Sequence, residues 1–228
     1  MCGRYASTAS SKEIEATFSI TRITPQVRPR WNLAPTQDAP VVLYEGERKM
    51  ELLRWGLIPS WAKTASIGAK TINARAETLV EKSAFKEAFR RRRCLVPTTG
   101  FYEWKRSGTT KTPMFIREAD GHVFAFAGLW EEWLNAEGVP VRTFTIITTP
   151  PNALLKPIHD RMPAIIQRKH YETWLKPDGN VREIQALLAP HAEGDLVAVP
   201  VSSKVNSVAL DEPGLVVPVE VPEQHQLL

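Results

Sequence analysis

The chain opens Met1-Cys2-Gly3-Arg4, so loss of one residue exposes an α-amine and a thiol on adjacent carbons. Such a pair captures aldehydes: the amine condenses to an imine, and the thiol closes a thiazolidine ring. An internal cysteine cannot close that ring, because its nitrogen is tied up in an amide. An α-amine titrates near ~8 and a lysine amine near ~10.4, so at neutral pH the terminus offers roughly a hundredfold more neutral nucleophile. Gly3 lets the backbone approach a ligand closely, and Arg4 is placed either to lower the thiol pKa or to hold an anion. The plainer alternative makes Cys2 a small residue at the start of a strand.

Three further segments hold polar groups in settings that a bare core does not ask for. In Asn73-Ala74-Arg75 an extended backbone puts the amide and the guanidinium on one face with Ala74 opposite, and an arginine there suits a phosphate. The alternative is a surface pair capping the next helix. In Phe101-Tyr102-Glu103-Trp104 a carboxyl group sits within an aromatic strand. Partial burial would raise its pKa into the range useful for proton transfer, whereas a cross-strand ion pair would not. In Ile158-His159-Asp160-Arg161-Met162-Pro163 an imidazole lies between apolar flanks, either trading a proton near neutral pH or serving only structure.

The elements that must position these groups are short. Ser10-x-x-Glu13 reads as a capping box opening a helix through Phe18, and Pro25, Pro29 and Pro35 force an extended segment across Arg28 to Pro35. Val41 to Tyr44 and Met50 to Trp55 flank a turn at Glu45-Gly46 and predict a hairpin. An irregular loop punctuated by Gly56, Pro59 and Gly68 carries Trp61, which either plugs a core edge or offers a stacking surface. Ser83 to Arg93 has helical spacing and ends in four arginines, which suit either the helix dipole on a solvated face or a phosphate patch. From Cys94 to Thr148 the pattern predicts an antiparallel meander. Helices are expected at Asn152 to Lys156, Arg168 to Leu175 and Val181 to Leu188, and strands at Leu196 to Val201 and Leu215 to Val221. The sum is an α+β fold: one domain over residues 1–222 with a curled, mainly antiparallel sheet and short flanking helices, then a flexible tail at 223–228.

Bulk properties narrow the function class. The 228 residues carry 29 Lys and Arg against 25 Asp and Glu, a balance that permits contact with polyanions without demanding it. Two cysteines, no CxxC pair and no HExxH spacing predict neither a disulfide framework nor a metal site, and nothing calls for a cofactor. Neither a signal peptide nor an apolar run of about 18 residues is legible, so the expectation is a soluble, cytoplasmic protein without membrane contact.

Seven ordered blocks carry a family resemblance: Met1-Cys-Gly-Arg-Tyr5, Trp31-Asn-Leu-Ala-Pro35, Arg54-Trp-Gly-Leu-Ile-Pro59, Ile72-Asn-Ala-Arg-Ala-Glu77, Arg93-Cys-Leu-Val-Pro97, Gly100-Phe-Tyr-Glu-Trp104 and Ile158-His-Asp-Arg-Met-Pro163. In this order the chain resembles the SRAP, or SOS-response-associated peptidase, family from residue 2 to about residue 210. The resemblance implies a domain that shields abasic sites in single-stranded DNA, including junctions, by a covalent crosslink. It also implies autopeptidase activity removing whatever precedes the cysteine. By the same resemblance Cys2 is the nucleophile, Asn73 orients the reacting terminus and sugar, Glu103 shuttles protons and His159 assists opening of the deoxyribose ring. Arg4, Asn32, Arg75 and Arg161 correspond to phosphate or backbone contacts, and Trp61 to an aromatic wedge. A one-to-one covalent mechanism needs only a monomer. Two other readings remain open on the residues alone: an N-terminal-nucleophile hydrolase with Asn73 and a backbone amide as oxyanion donors, and a non-catalytic single-strand binder.

Overall fold

A computed structural model describes residues 2–21, 25–177, 179–192 and 194–220. The first helix, α1 (Ser11–Phe18), starts where the sequence says it must: Ser10 accepts from the Glu13 N–H and Glu13 reaches back to the Ser10 N–H. Strand β1 (Tyr5–Ser7) precedes it and β2 (Arg30–Leu33) follows. The predicted hairpin is β3 (Asp38–Tyr44) and β4 (Arg48–Trp55), turning at Gly46 with φ 83°. The segment Asn73 to Arg75 is the short strand β5.

The meander region supplies β6 (Arg93–Thr98), β7 (Gly100–Ser107), β8 (Thr110–Glu118), β9 (Phe124–Leu134) and β10 (Pro140–Thr149). It does not stay in one sheet. Strands β4, β3, β6, β9 and β10 pair successively, and β10 pairs again with β4, so they close into a small barrel. Strands β7 and β8 leave it for a five-stranded sheet ordered β13-β8-β7-β1-β2, where β13 is Leu196–Pro200. The transfer happens over one residue between β6 and β7. Gly100 makes it possible, because a Cβ there would lie 2.3 Å from the Phe115 ring. Most pairings are antiparallel, but β10 runs parallel to both β4 and β5. Short strands β11 (Met162–Pro163) and β12 (Ile165–Ile166) add to β10 and β9.

Alternation along the strands sorts the core. Phe101 faces a cluster with Tyr5, Trp55, Phe126 and Phe144, whereas its neighbour Tyr102 faces the opposite cluster with Phe115, Val205 and Leu215. Glu103 follows on the Phe101 side and is 3 % exposed. A third cluster packs α1, α2 (Lys86–Arg91), α3 (Tyr171–Leu175) and α4 (Val181–Ala186) against the barrel through Phe18, Phe89, Trp174 and Ile184.

Several local expectations are corrected. The helix read over Ser83 to Arg93 shrinks to α2, and its final arginine opens β6 instead. Arg93 is buried and donates to the carbonyls of Phe89, Arg90, Trp174 and Lys176, so it caps the helix end from inside the core, while Arg90 and Arg91 stay exposed in the last turn of α2. Asn152 to Lys156 is a hydrogen-bonded turn closed by the Asn152 side chain on the Leu155 N–H, not a helix. The strand expected at Leu215 is a 3-10 turn over Pro213–Val216, with a single bridge from Val201 to Pro218. Val221 and the 223–228 tail lie outside the described residues. Among the described residues no helix is long and apolar enough to cross a membrane.

Candidate active site

The start of the chain lies against β7. Tyr5 pairs with Phe101, and the Tyr102 N–H donates to the Arg4 carbonyl at 3.0 Å, so the same register sets Gly3 opposite Glu103. Cys2 is fully buried in the inner cluster, and its thiol points back to the Arg4 carbonyl at 3.9 Å. Burial pushes this thiol well above its ordinary pKa, and the Glu103 charge adds to the effect. The expectation that Arg4 lowers the thiol pKa is therefore corrected: the guanidinium turns away and donates to Asn32 Oδ1 and the Val205 carbonyl, both at 2.7 Å, and to the Asn206 carbonyl at 3.2 Å.

Glu103 is the unusual group. Burial, with the Asp160 charge behind it, raises its carboxyl pKa to about 8, and among the described residues Oε1 has no hydrogen-bond partner. Its Oε2 stands 3.9 Å from His159 Nε2. The other imidazole nitrogen, Nδ1, accepts from the Arg161 N–H at 3.0 Å, so the neutral ring carries its proton on Nε2, toward Glu103. Asp160 Oδ1 is 2.9 Å from Nδ1 and favours the charged ring, but burial outweighs it and lowers the His159 pKa. Adjacent residues thus supply a carboxyl group that holds its proton and an imidazole that is neutral at pH 7.

These groups open onto a cleft of about 430 Å³ lined by Glu103, Trp104, Arg106, Lys111, His159 and Asn206. Arg106 and Lys111 face each other across the β7–β8 hairpin and make its rim basic. Four of these lining residues were not singled out in the sequence. Alternation along β7 marked Glu103, but only the hairpin register shows that Arg106 and Lys111 share its cleft.

The remaining predicted residues divide. Asn73 sits where β5 runs parallel to β10; its Nδ2 donates to the Ile72 carbonyl at 3.1 Å, and its buried Oδ1 has no partner among the described residues. Arg75 is exposed beside it. Asn32 is 1 % exposed and spends its amide on the carbonyls of Val205, Ser207 and Leu210. In this geometry Asn32 and Arg4 together hold the 205–210 segment over β7. Arg161 forms a fork onto Glu77 at 2.6 and 2.9 Å and also donates to the Thr148 carbonyl at 2.6 Å, so a phosphate would have to displace Glu77 to reach it. Trp61 is 59 % exposed on its loop, and the Trp133 indole N–H donates to the neighbouring Ala62 carbonyl. It does not line the cleft. Among the described residues no set of three His, Cys, Asp or Glu side chains is placed to hold a metal ion.

Comparison with known proteins gives the family and the fold. The family model described as SOS response associated peptidase (SRAP) matches residues 1–208. The abasic site processing protein YoaM of Bacillus subtilis is 44% identical over 91% of this chain and 93% of its own length. The abasic site processing protein HMCES of Gallus gallus is 34% identical over 85% of this chain and 67% of its own. A crystal structure of a protein from Bacteroides thetaiotaomicron superposes with TM-score 0.89 at 29% identity, covering 96% of this chain and all of the other. With Cys2, the buried carboxyl group and the neutral histidine in one place, and a match across nearly the whole length, the chain belongs to the SRAP family.

Proposed function

We propose that this protein senses abasic sites in single-stranded DNA and, once Met1 is removed, joins the lesion to Cys2 as a thiazolidine. The observation that carries the reading is the pairing of Cys2 with a Glu103 whose pKa, about 8, matches that of a terminal amine near ~8. Proton transfer between two groups of equal pKa costs almost nothing, so the ionised fraction of Glu103 can free the amine of its proton while the protonated majority gives a proton to the leaving hydroxyl.

The steps balance without a cofactor. An abasic deoxyribose is mainly a closed hemiacetal. The Glu103 carboxyl group protonates the ring oxygen and its carboxylate takes the proton of the C1′ hydroxyl, while the Nε2–H of His159 hydrogen-bonds the ring oxygen, and the aldehyde is released. The Cys2 amine adds to C1′, Glu103 protonates the departing hydroxyl, and water leaves. The thiol then adds to the resulting iminium and its proton returns to Glu103. Burial raises the thiol pKa, so the thiol reaches the iminium as a neutral nucleophile that loses its proton during closure. The saturated ring removes the iminium that drives strand cleavage by β-elimination. Asn73, with an acceptor oxygen unsatisfied among the described residues, orients the amine.

The basic rim and exposed Arg75 fit a phosphate backbone read without regard to sequence, as a lesion without a base requires. The autopeptidase activity implied by the family name corresponds to release of Met1. Action as a monomer, in the cytoplasm and on the nucleoid when engaged, and a single domain over 1–222 complete the reading. Intact-mass analysis after mixing with an abasic oligonucleotide tests it. The expected species lacks Met1 and carries one strand less one water. A protein that retains Met1, or that releases product repeatedly with no mass-shifted species, overturns it.

A further inference from the structure

Asn206 stands at the mouth of the active cleft, whose floor is the buried Glu103 with His159 beside it. It is exposed, yet both its backbone and its side chain are held. Its carbonyl accepts from Arg4 Nη2 at 3.2 Å, and the preceding Val205 carbonyl accepts from Arg4 Nη1 at 2.7 Å. Its side-chain Oδ1 accepts from the Trp104 indole N–H at 2.8 Å.

That last bond fixes which way the amide faces. An indole nitrogen donates and does not accept, so Asn206 must present its oxygen to Trp104 and turn its Nδ2–H groups away from the ring. Among the described residues Nδ2 has no hydrogen-bond partner. An exposed asparagine gains little from being ordered, because water satisfies it equally well and side-chain entropy opposes the fixing. Here an arginine and a tryptophan both hold one in place, with its donors free.

The neighbouring charge selects what those donors meet. Arg106 and Lys111 line the same cleft and stand directly opposite each other in the β7–β8 hairpin, an arrangement that costs stability between like charges. Among the described residues neither has an ion-pair partner. An anion at the mouth removes that cost. With C1′ of the lesion beside Glu103 and His159 at the floor, the anionic group of the same nucleotide that reaches the mouth is a phosphate.

We propose that Asn206 is a substrate-contacting residue, its Nδ2–H donating to a non-bridging oxygen of a phosphate on the abasic nucleotide, and that Trp104 is the positioning residue that aims it. This contact rests on the abasic-DNA reading above and adds to it a neutral, directional donor beside two cations. Because Asn206 carries no charge, it fixes the register of the nucleotide without adding to counterion release.

Fluorescence anisotropy with a strand carrying a tetrahydrofuran abasic analogue, which has no aldehyde and cannot crosslink, reads binding alone. Asn206→Ala should weaken Kd about tenfold and keep the wild-type salt slope, whereas Lys111→Ala should flatten that slope by about 0.7. Methylphosphonate in place of the phosphate on the 5′ or the 3′ side of the analogue should, at one of the two positions, shrink the Asn206→Ala penalty to below about twofold. Asn206→Asp keeps the acceptor for the indole, so the segment stays seated, and should bind more weakly still. Trp104→Phe should lose affinity at the same phosphate. Wild-type affinity in Asn206→Ala, Asn206→Asp or Trp104→Phe overturns the proposal, as does a penalty undiminished on both methylphosphonate strands. The covalent reading is tested apart from this one: a wild-type protein that binds the analogue with these dependences but forms no adduct on an authentic abasic strand loses the thiazolidine and keeps the Asn206 contact.

Discussion

At the scale of single residues, Glu103 concentrates the trade between stability and chemistry. Its folded pKa of about 8 lies above its unfolded value. Below the unfolded pKa both states hold the proton and burial carries no electrostatic penalty; the stability is lost as pH rises through 8, where the folded state must ionise a buried carboxyl group. By linkage the loss reaches up to about 5 kcal/mol. Glu103→Gln should therefore raise Tm clearly at pH 9 and little at pH 5 in paired thermal melts, while slowing crosslinking at least a hundredfold. An unchanged crosslinking rate would remove Glu103 from proton transfer. A buried acid was legible in the alternation of Phe101-Tyr102-Glu103-Trp104. That Nδ1 of His159 is occupied by the Arg161 N–H was not, because that bond depends on the local turn and not on residue type.

At the scale of elements, the 203–211 segment works as a strap across the five-stranded sheet. Asp211 latches it, accepting from the Arg30 side chain and from the N–H groups of Trp31 at 2.6 Å and Asn32 at 3.1 Å. Trp104 then donates to Asn206 Oδ1 at 2.8 Å at the rim of the active cleft. Asp211→Ala leaves two backbone donors and a guanidinium without their acceptor, at a cost of about 2 kcal/mol. Amide exchange in residues 203–210 should accelerate and crosslinking should slow, with Met1 removal unaffected; wild-type exchange there would mean that Arg4 and Asn32 hold the strap alone. Nothing local in the sequence announces this role, since Asp211 and β2 are 180 residues apart. The arginine run misled for the same reason: helical spacing extended α2 to Arg93, but the buried carbonyls of α3 claimed that side chain.

At the scale of the whole molecule, the charge on offer to a phosphate backbone is spread over separate elements. Arg106 and Lys111 lie on the β7–β8 hairpin, Arg75 on β5, and Trp61 on a loop pinned where Gly56, at φ 126°, meets Gly68. A Cβ on Gly56 would lie 2.7 Å from the Gly68 carbonyl oxygen. Affinity for single-stranded DNA should fall with salt at a log–log slope near −0.7 per phosphate neutralised. Trp61→Ala should weaken binding by about 1–3 kcal/mol in fluorescence anisotropy while leaving crosslinking at saturating protein intact. Equal affinity would assign Trp61 to the protein surface alone. The opposite result, lost crosslinking at saturation, would place it in the chemistry.

The sequence by itself determined the cysteine next to Met1, the types of the surrounding polar groups, the helix cap at Ser10 and most of the strands, because these follow from covalent order and short-range periodicity. Only tertiary structure decided that the meander divides between a closed barrel and a second sheet at Gly100, and that Asn32 and Arg4 hold protein. It also decided that Glu103 meets a basic rim. Burial and register join residues tens to hundreds of positions apart, and no local pattern encodes which partners they meet.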